Sequence, residues 1–154
     1  MSVVRPFRSL SLLARTSFVL EVLLGIGAVA GGIALMIGPR GQIIPLDLAL
    51  LAGSPFSDYF VPGLILFGIV GLGTLWVALL AWRASAWAPV LTVAVGGALL
   101  IWLLVEFAVI GYTSDPPVQP VYLALGLLIT VIGAAWVIRT GSPFGTQGRS
   151  SRAH

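Results

Sequence analysis

The chain has 154 residues, of which 58% are hydrophobic and only 8% are charged, whereas soluble domains carry roughly 25% charged residues. A chain this short cannot hide so much apolar surface in an aqueous core, so its composition excludes a soluble globular domain. The net charge of +3 comes from arginine without lysine, and no basic stripe with interleaved aromatic residues accompanies it, which excludes nucleic-acid binding.

Several residue types that carry catalytic and metal chemistry are missing. The chain has no cysteine, and its single histidine is the last residue, His154. Thiolate metal sites, haem attachment through thioethers and cysteine nucleophiles are therefore excluded. The serines and threonines also lack a histidine or lysine base, so nucleophilic catalysis has no support. We predict no cofactor, no metal and no catalytic residue; an integral membrane enzyme stays open as the third interpretation.

The first apolar run follows a basic arm. Residues 1–16 contain three arginines and no acid, and residues 17–38 are then almost entirely apolar. A helix of this length spans about 30 Å, which is the thickness of the hydrocarbon core of a bilayer. We therefore predict a first transmembrane helix over 17–38, with Ser17 as its cap and Gly38-Pro39 as its stop.

The rest of the chain contains three further apolar runs and one long loop. Within the loop Arg40–Asp58, the stretch Ile43–Leu51 is apolar but too short to span, and it predicts a short helix at the membrane interface. Proline falls in the first turn of the second and fourth runs, where its missing N–H matters least. The predicted spans are 59–82, 88–111 and 118–138, and 139–154 is predicted to be a disordered tail.

The arginines indicate how the helices are oriented. Seven of the eight lie in the arm, in the short loop at Arg83 and in the tail, whereas the other two loops hold only Arg40 together with three aspartates. By the positive-inside rule, both termini are cytoplasmic. The sequence thus predicts an all-α membrane protein: a bundle of four transmembrane helices with cytoplasmic termini and a short interfacial helix in the first external loop.

Small and polar residues recur along one side of the first and fourth spans, and a stripe with Thr92 and Glu106 at its ends runs along the third. In the first span, five of them fall within about 40° of one line at 100° per residue. Lipid offers no hydrogen-bond partners, so such stripes should face the other helices. The stripes comprise Ser17, Glu21, Gly25, Ala28 and Gly32 in the first span; Thr92, Val95, Leu99, Trp102 and Glu106 in the third; and Gln119, Tyr122, Gly126, Thr130 and Gly133 in the fourth.

The two acids inside the spans form separate sites. Glu21 and Glu106 should lie something like 20 Å apart along the membrane normal, too far for a catalytic carboxylate pair. For Glu21 we predict a structural ion pair, with Arg139 as the first choice of partner. The alternative is a proton- or cation-coupled site. Leu20-Glu21-Val22 resembles the first helix of four-span multidrug transporters, although the long loop does not match them.

Glu106 has two interpretations that the residues leave open. It can belong to a hydrogen-bonded network with Gln119 and Tyr122, which sit at a matching depth. It can also form the floor of a ligand-binding pocket open to the outside, because intramembrane acids are functional hypotheses by default. The residues of this predicted site are Glu106, Trp102, Gln119, Tyr122, Tyr59 and Tyr112.

Three stretches, Glu21–Leu35, Ser54–Gly63 and Val118–Gly126, resemble a widespread group of uncharacterised small four-span bacterial membrane proteins. The resemblance implies a four-span fold and a location in the bacterial inner membrane. The leading hypothesis is a non-enzymatic accessory or assembly component that acts through helix–helix contacts. The alternative is binding or transport of a lipid, small molecule or ion. The predicted partners are membrane lipids and either another membrane protein or further copies of this chain.

Overall fold

The computed structural model describes residues 11–112 and 118–141, and these residues are helical apart from the connections between helices. Each of the four long helices has the length and composition to cross a membrane, which confirms the predicted all-α, four-span architecture. We number these helices α1 to α4; their bounds are Leu12–Ile37 for α1, Phe60–Trp82 for α2, Ala88–Ile110 for α3 and Val118–Thr140 for α4.

The four helices pack as two hairpins. Helix α1 contacts α2 along its length, and α3 contacts α4 in the same way. The hairpins meet mainly where α1 contacts α4 and where the segment Gly73–Trp82 of α2 contacts α3. The two helices of each hairpin run antiparallel, because Gly32 lies against Gly63 and Gly25 against Leu75 in the first, and Gly96 lies against Gly126 and Gly133 against Val93 in the second. We call the end of the bundle where α2 connects to α3 the Arg83 end, and the opposite end the Asp58 end.

Glycines allow the helix backbones within each hairpin to come into contact. In the first hairpin, a Cβ atom on Gly32 would lie 2.7 Å from the carbonyl oxygen of Gly63. In the second, a Cβ atom on Gly96 would collide with Thr130 and lie 2.9 Å from the carbonyl oxygen of Gly126. Close backbone approach through small residues is how helices associate in lipid, where water expulsion contributes little.

Helix α2 is interrupted by a segment that the sequence did not predict. Residues Leu66–Leu72 form a π-helical stretch between two α-helical parts, Phe60–Ile65 and Gly73–Trp82. Such stretches widen the helix locally and are found mostly as short insertions. The π-helical stretch lies directly against α1, where Gly71 approaches the backbone of Val29.

Apolar residues fill the bundle in three clusters stacked between its ends. One cluster lies at the Arg83 end, one in the middle and one at the Asp58 end. Their buried members are Ala14, Ala81, Ala88 and Trp136; then Leu24, Ala28, Val70, Leu99, Leu103 and Ile129; then Leu35, Leu51 and Tyr59.

Helix α1 begins earlier than predicted. Its N-cap is Ser11, whose side-chain oxygen accepts a hydrogen bond from the N–H of Ala14, so the prediction of Ser17 as the cap was wrong. The last part of the basic arm is therefore helical, and α4 likewise continues to Thr140, beyond the predicted end at 138. The predicted stop at Gly38 is confirmed. Residues 1–10 of the arm, the loop 113–117 and residues 142–154 of the tail lie outside the described residues.

The first loop contains less helix than predicted. Only Leu48–Leu51 is helical, as one turn of 3₁₀-helix capped by Asp47. The preceding backbone is held in another way, because the hydroxyl of Tyr59 donates to the carbonyl oxygen of Asp47 at 2.9 Å. Ile44 and Leu46 pack against the cluster at the Asp58 end. The loop therefore folds back onto the bundle, which an isolated helix on the membrane surface would not do.

Candidate functional site

The structure turns the predicted stripe of α1 into the bundle. Its five members, Ser17, Glu21, Gly25, Ala28 and Gly32, are all buried, which confirms the face that the helical periodicity predicted. On α3 and α4, Thr92, Leu99, Gln119, Gly126 and Gly133 are buried, and the other members of those stripes are half-buried. The polar side chains of these stripes are therefore the candidate functional groups.

Glu21 is fully buried and is bound by a residue of another helix. Its Oε1 accepts a hydrogen bond of 2.7 Å from the hydroxyl of Thr92 on α3. Its Oε2 is also buried and accepts no hydrogen bond from any residue that the structure describes. One oxygen of the carboxyl group is thus anchored, and the other faces the interior without a partner.

The predicted ion pair between Glu21 and Arg139 is not present in the structure. Arg139 lies in the last turn of α4 and is exposed. Because α1 begins at Leu12, Glu21 lies about 14 Å from the start of its helix, deeper than the predicted cap at Ser17 implied. The guanidinium of Arg15 does not take Arg139's place, because Oε1 of Glu21 accepts from Thr92 and Oε2 accepts from none of the described residues.

Glu21 belongs to a layer of polar side chains between two apolar clusters. Ser17, Glu21, Thr74 and Thr92 come from three helices, and each is at most 1% exposed. In sequence they lie between the members of the cluster at the Arg83 end and those of the middle cluster. We call these four residues the polar layer. Buried polar side chains in a membrane helix bundle are costly, so a layer of them is a candidate site.

Glu106 forms a second polar contact, close to the Asp58 end. Its Oε1 accepts a hydrogen bond of 3.1 Å from Nε2 of Gln119, and the same nitrogen donates to the carbonyl oxygen of Gly111 at 3.0 Å. Gly111 is the C-cap of α3, and Gln119 lies in the first turn of α4. This contact therefore ties the end of α3 to the start of α4, as the predicted network of Glu106 with Gln119 implied.

The aromatic residues predicted to surround Glu106 are directed elsewhere. Tyr59 is buried and donates to Asp47, while Tyr112 is 63% exposed with its ring stacked on Phe107. Tyr122 points towards α1, where its hydroxyl would lie 3.3 Å from a Cβ atom on Gly27. Trp102 is half-buried on α3. Of the predicted site, the structure therefore joins Glu106 and Gln119.

Tyr59 has a structural role at the Asp58 end. Burial raises the pKa of its phenol, and the negative charge of Asp47 raises it further. The hydroxyl therefore remains a hydrogen-bond donor at neutral pH, as its bond to the Asp47 carbonyl requires. Its backbone N–H also donates to Pro39, so this residue joins both ends of the first loop.

Sequence reasoning did not identify Thr92 as the hydrogen-bond partner of Glu21. Thr92 was placed on an inward face without a partner, and Ser17 was taken for a cap. One signal was available for Thr92. Helices α1 and α3 run in the same direction, and Glu21 and Thr92 lie equally far into the apolar runs predicted for them. Equal depth on two inward faces is a condition for a hydrogen bond between them.

An apolar groove lies away from both polar contacts. It has a volume of about 370 Å³ between α2 and α3 at the Arg83 end, and its lining consists of Trp76, Leu80, Ser85, Trp87 and Leu91.

No protein-family model, curated protein or solved structure matches this chain. The resemblance to small four-span bacterial proteins therefore stays a prediction. Function has to be argued from the geometry of the helices and of the buried polar groups.

Proposed function

We propose that this multi-pass membrane protein is a non-enzymatic accessory or assembly component that acts through contacts between its helices and those of a partner. The proposal depends on one observation, a stripe of small residues on the outward side of α3. Ala94 and Ala108 on this side are exposed, and a Cβ atom on Gly97 would meet nothing within 4 Å. With Ala98 and the exposed Ile101 and Val105 they fall within about 100° of the helix circumference. We call this the α3 outer stripe.

The α3 outer stripe has the composition of a helix–helix interface in lipid. The inner side of α3 is occupied by α4, whose glycines and threonine it contacts through Gly96. Small residues on a side that faces away from these contacts permit a further helix to approach closely. The occupant that fits is an apolar transmembrane helix, from a second copy of this chain or from a different membrane protein.

The stripe predicts that a bulky residue at Gly97 weakens the association with the partner helix without unfolding the bundle. Gly97→Leu should weaken the complex about tenfold, since a side chain there holds the partner helix away. The matched control is Gly68→Leu on α2, where a Cβ atom also meets nothing within 4 Å. Complex size is measured by native mass spectrometry on protein extracted with its surrounding lipid. An undiminished complex in Gly97→Leu would contradict the proposal.

Location and orientation are part of the same proposal. The arginine asymmetry supports cytoplasmic termini, and the resemblance to bacterial four-span proteins supports the inner membrane. Because the chain has no cysteine, single cysteines report the orientation directly. An impermeant thiol reagent added to intact cells should label Ser54→Cys and leave Ser150→Cys unlabelled. Labelling of Ser150→Cys would reverse the orientation.

The alternative is binding or transport of a lipid, small molecule or ion near Glu106. The half-buried carboxyl group of Glu106 inside a span supports it. Its contact with Gln119 weighs against it, since that contact closes the helix end at Gly111 and gives Glu106 a structural role. The dispersed tyrosines weigh against it as well. The assembly function is therefore the better supported of the two.

A further inference from the structure

Two buried oxygen atoms of the polar layer share a property that the proposed assembly function does not explain. Oε2 of Glu21 and Oγ of Ser17 are both buried, and neither has a hydrogen-bond partner among the described residues. The two residues are one helical turn apart, so their side chains lie next to each other on the same side of α1. Both residues are 0% exposed. Orphaned buried polar atoms are rare in native proteins, and each calls for an explanation.

The residues around Glu21 leave Oε2 without a partner in either protonation state. If the carboxyl group is charged, Oε2 needs a donor or a cation; if it is neutral, its O–H needs an acceptor. Thr92 is already engaged, because its hydroxyl donates to the other oxygen, Oε1. The orphaned hydroxyl of Ser17 needs a partner of its own. A single atom placed between Oε2 of Glu21 and Oγ of Ser17 would be a partner for both oxygens.

The charged residues that the structure describes at this end of the bundle do not neutralise Glu21. Arg83 and Arg139 are exposed at the ends of α2 and α4. Arg15 lies on α1 about 120° around the helix from Glu21 and about 9 Å nearer to the start of the helix. Helix α3 brings the hydroxyl of Thr92 to this level, and the charged residue among its described positions, Glu106, lies near the Asp58 end. A fully buried carboxylate without a counter-charge is very costly, so where Oε2 does not carry a proton a small cation is a better occupant than water alone.

We propose that the polar layer holds one monovalent cation of the size of sodium, coordinated by Oε2 of Glu21 and Oγ of Ser17. Hard cations prefer oxygen ligands, and all the groups offered here are oxygens. A single carboxylate balances one positive charge, and no group of three acidic or histidine residues exists among the described residues to favour a divalent ion. Thr92 is a positioning residue, because its bond to Oε1 fixes the direction in which Oε2 points.

The sodium site goes beyond the proposed assembly function and is independent of it. The polar layer lies inside the bundle, whereas the α3 outer stripe faces away from it. A variant that loses sodium binding can therefore still associate through the side of α3 that carries Gly97. A variant that loses this association can still bind sodium.

Sodium should stabilise the purified protein through Glu21. Melting is followed by the fluorescence of the five tryptophans in mild detergent, with sodium chloride compared against choline chloride at equal ionic strength. We expect a saturable rise of the melting temperature of about 5 °C in sodium at pH 8. Glu21→Gln should abolish the rise. Asp58→Asn, the same carboxyl-to-amide change outside the polar layer, should retain it.

A second variant keeps the test decisive if Glu21→Gln folds poorly. Ser17→Ala leaves the bond between Glu21 and Thr92 in place, and it should raise the sodium concentration for half of the effect about tenfold. Protons compete for Oε2, so lowering the pH should also raise that concentration. Equal melting temperatures in sodium and choline would overturn the proposal. A sodium effect that persists in Glu21→Gln would also overturn it. The same holds for a dependence of the melting temperature on pH that is equal in sodium and in choline.

Discussion

Replacing Gly96 by alanine should destabilise the bundle, whereas the same change at the adjacent Gly97 should stabilise it. A Cβ atom on Gly96 would lie 2.7 Å from the backbone nitrogen of Thr130, which cannot move unless α3 and α4 separate. Overpacking of this kind costs about 1–3 kcal/mol in the free energy of unfolding. At Gly97 a Cβ atom meets nothing within 4 Å, and the better helix propensity of alanine adds up to about 1 kcal/mol.

The opposite signs make the pair a stringent test of the α3–α4 contact. Both variants lose one glycine from the middle of the same helix, so effects on the unfolded state are matched. Unfolding is measured by titration with a denaturing detergent against a mild one, with helix content as the signal. Equal changes in the two variants would mean that α3 does not meet α4 through Gly96.

Thr92→Val should cost about 2 kcal/mol, and this cost should disappear when Glu21 is also replaced. The valine keeps the shape of threonine but removes the donor to a buried carboxyl oxygen, and hydrogen bonds to charged groups contribute about 1.5–3 kcal/mol. In Glu21→Met no buried carboxyl oxygen is left unpaired. The double-mutant cycle should therefore show a coupling of about 2 kcal/mol between the two positions.

The matched cycle uses Arg139, the partner that the sequence predicted for Glu21. Arg139 is exposed in the structure and lies at the end of α4, so Glu21→Met and Arg139→Gln should be additive within about 0.5 kcal/mol. All measurements are made in choline chloride, which keeps sodium binding out of the comparison. A coupling of Glu21 to Arg139 instead of Thr92 would show that the carboxyl group turns towards the helix end.

The sequence by itself determined the number of spans and the inward side of α1. Lipid imposes these features, because a helix must be long enough to cross the bilayer and polar side chains must avoid the hydrocarbon. Glu21, Gly25 and Gly32 were therefore correctly placed inside before any contact was known. The stop at Gly38 follows from Pro39, which disfavours helical backbone at the residue before it and is visible in the sequence.

The tertiary structure alone decided which inward residues meet. Periodicity and depth give each polar side chain a face and a level, but several helices offer an inward group at the same level. Glu21 had Arg139 as its predicted partner, and it contacts Thr92, which is 71 positions away in the chain. Tyr122, predicted beside Glu106, is directed at α1. The choice depends on which helix backbones can approach closely, and within each hairpin the glycines at the helix contact set that approach.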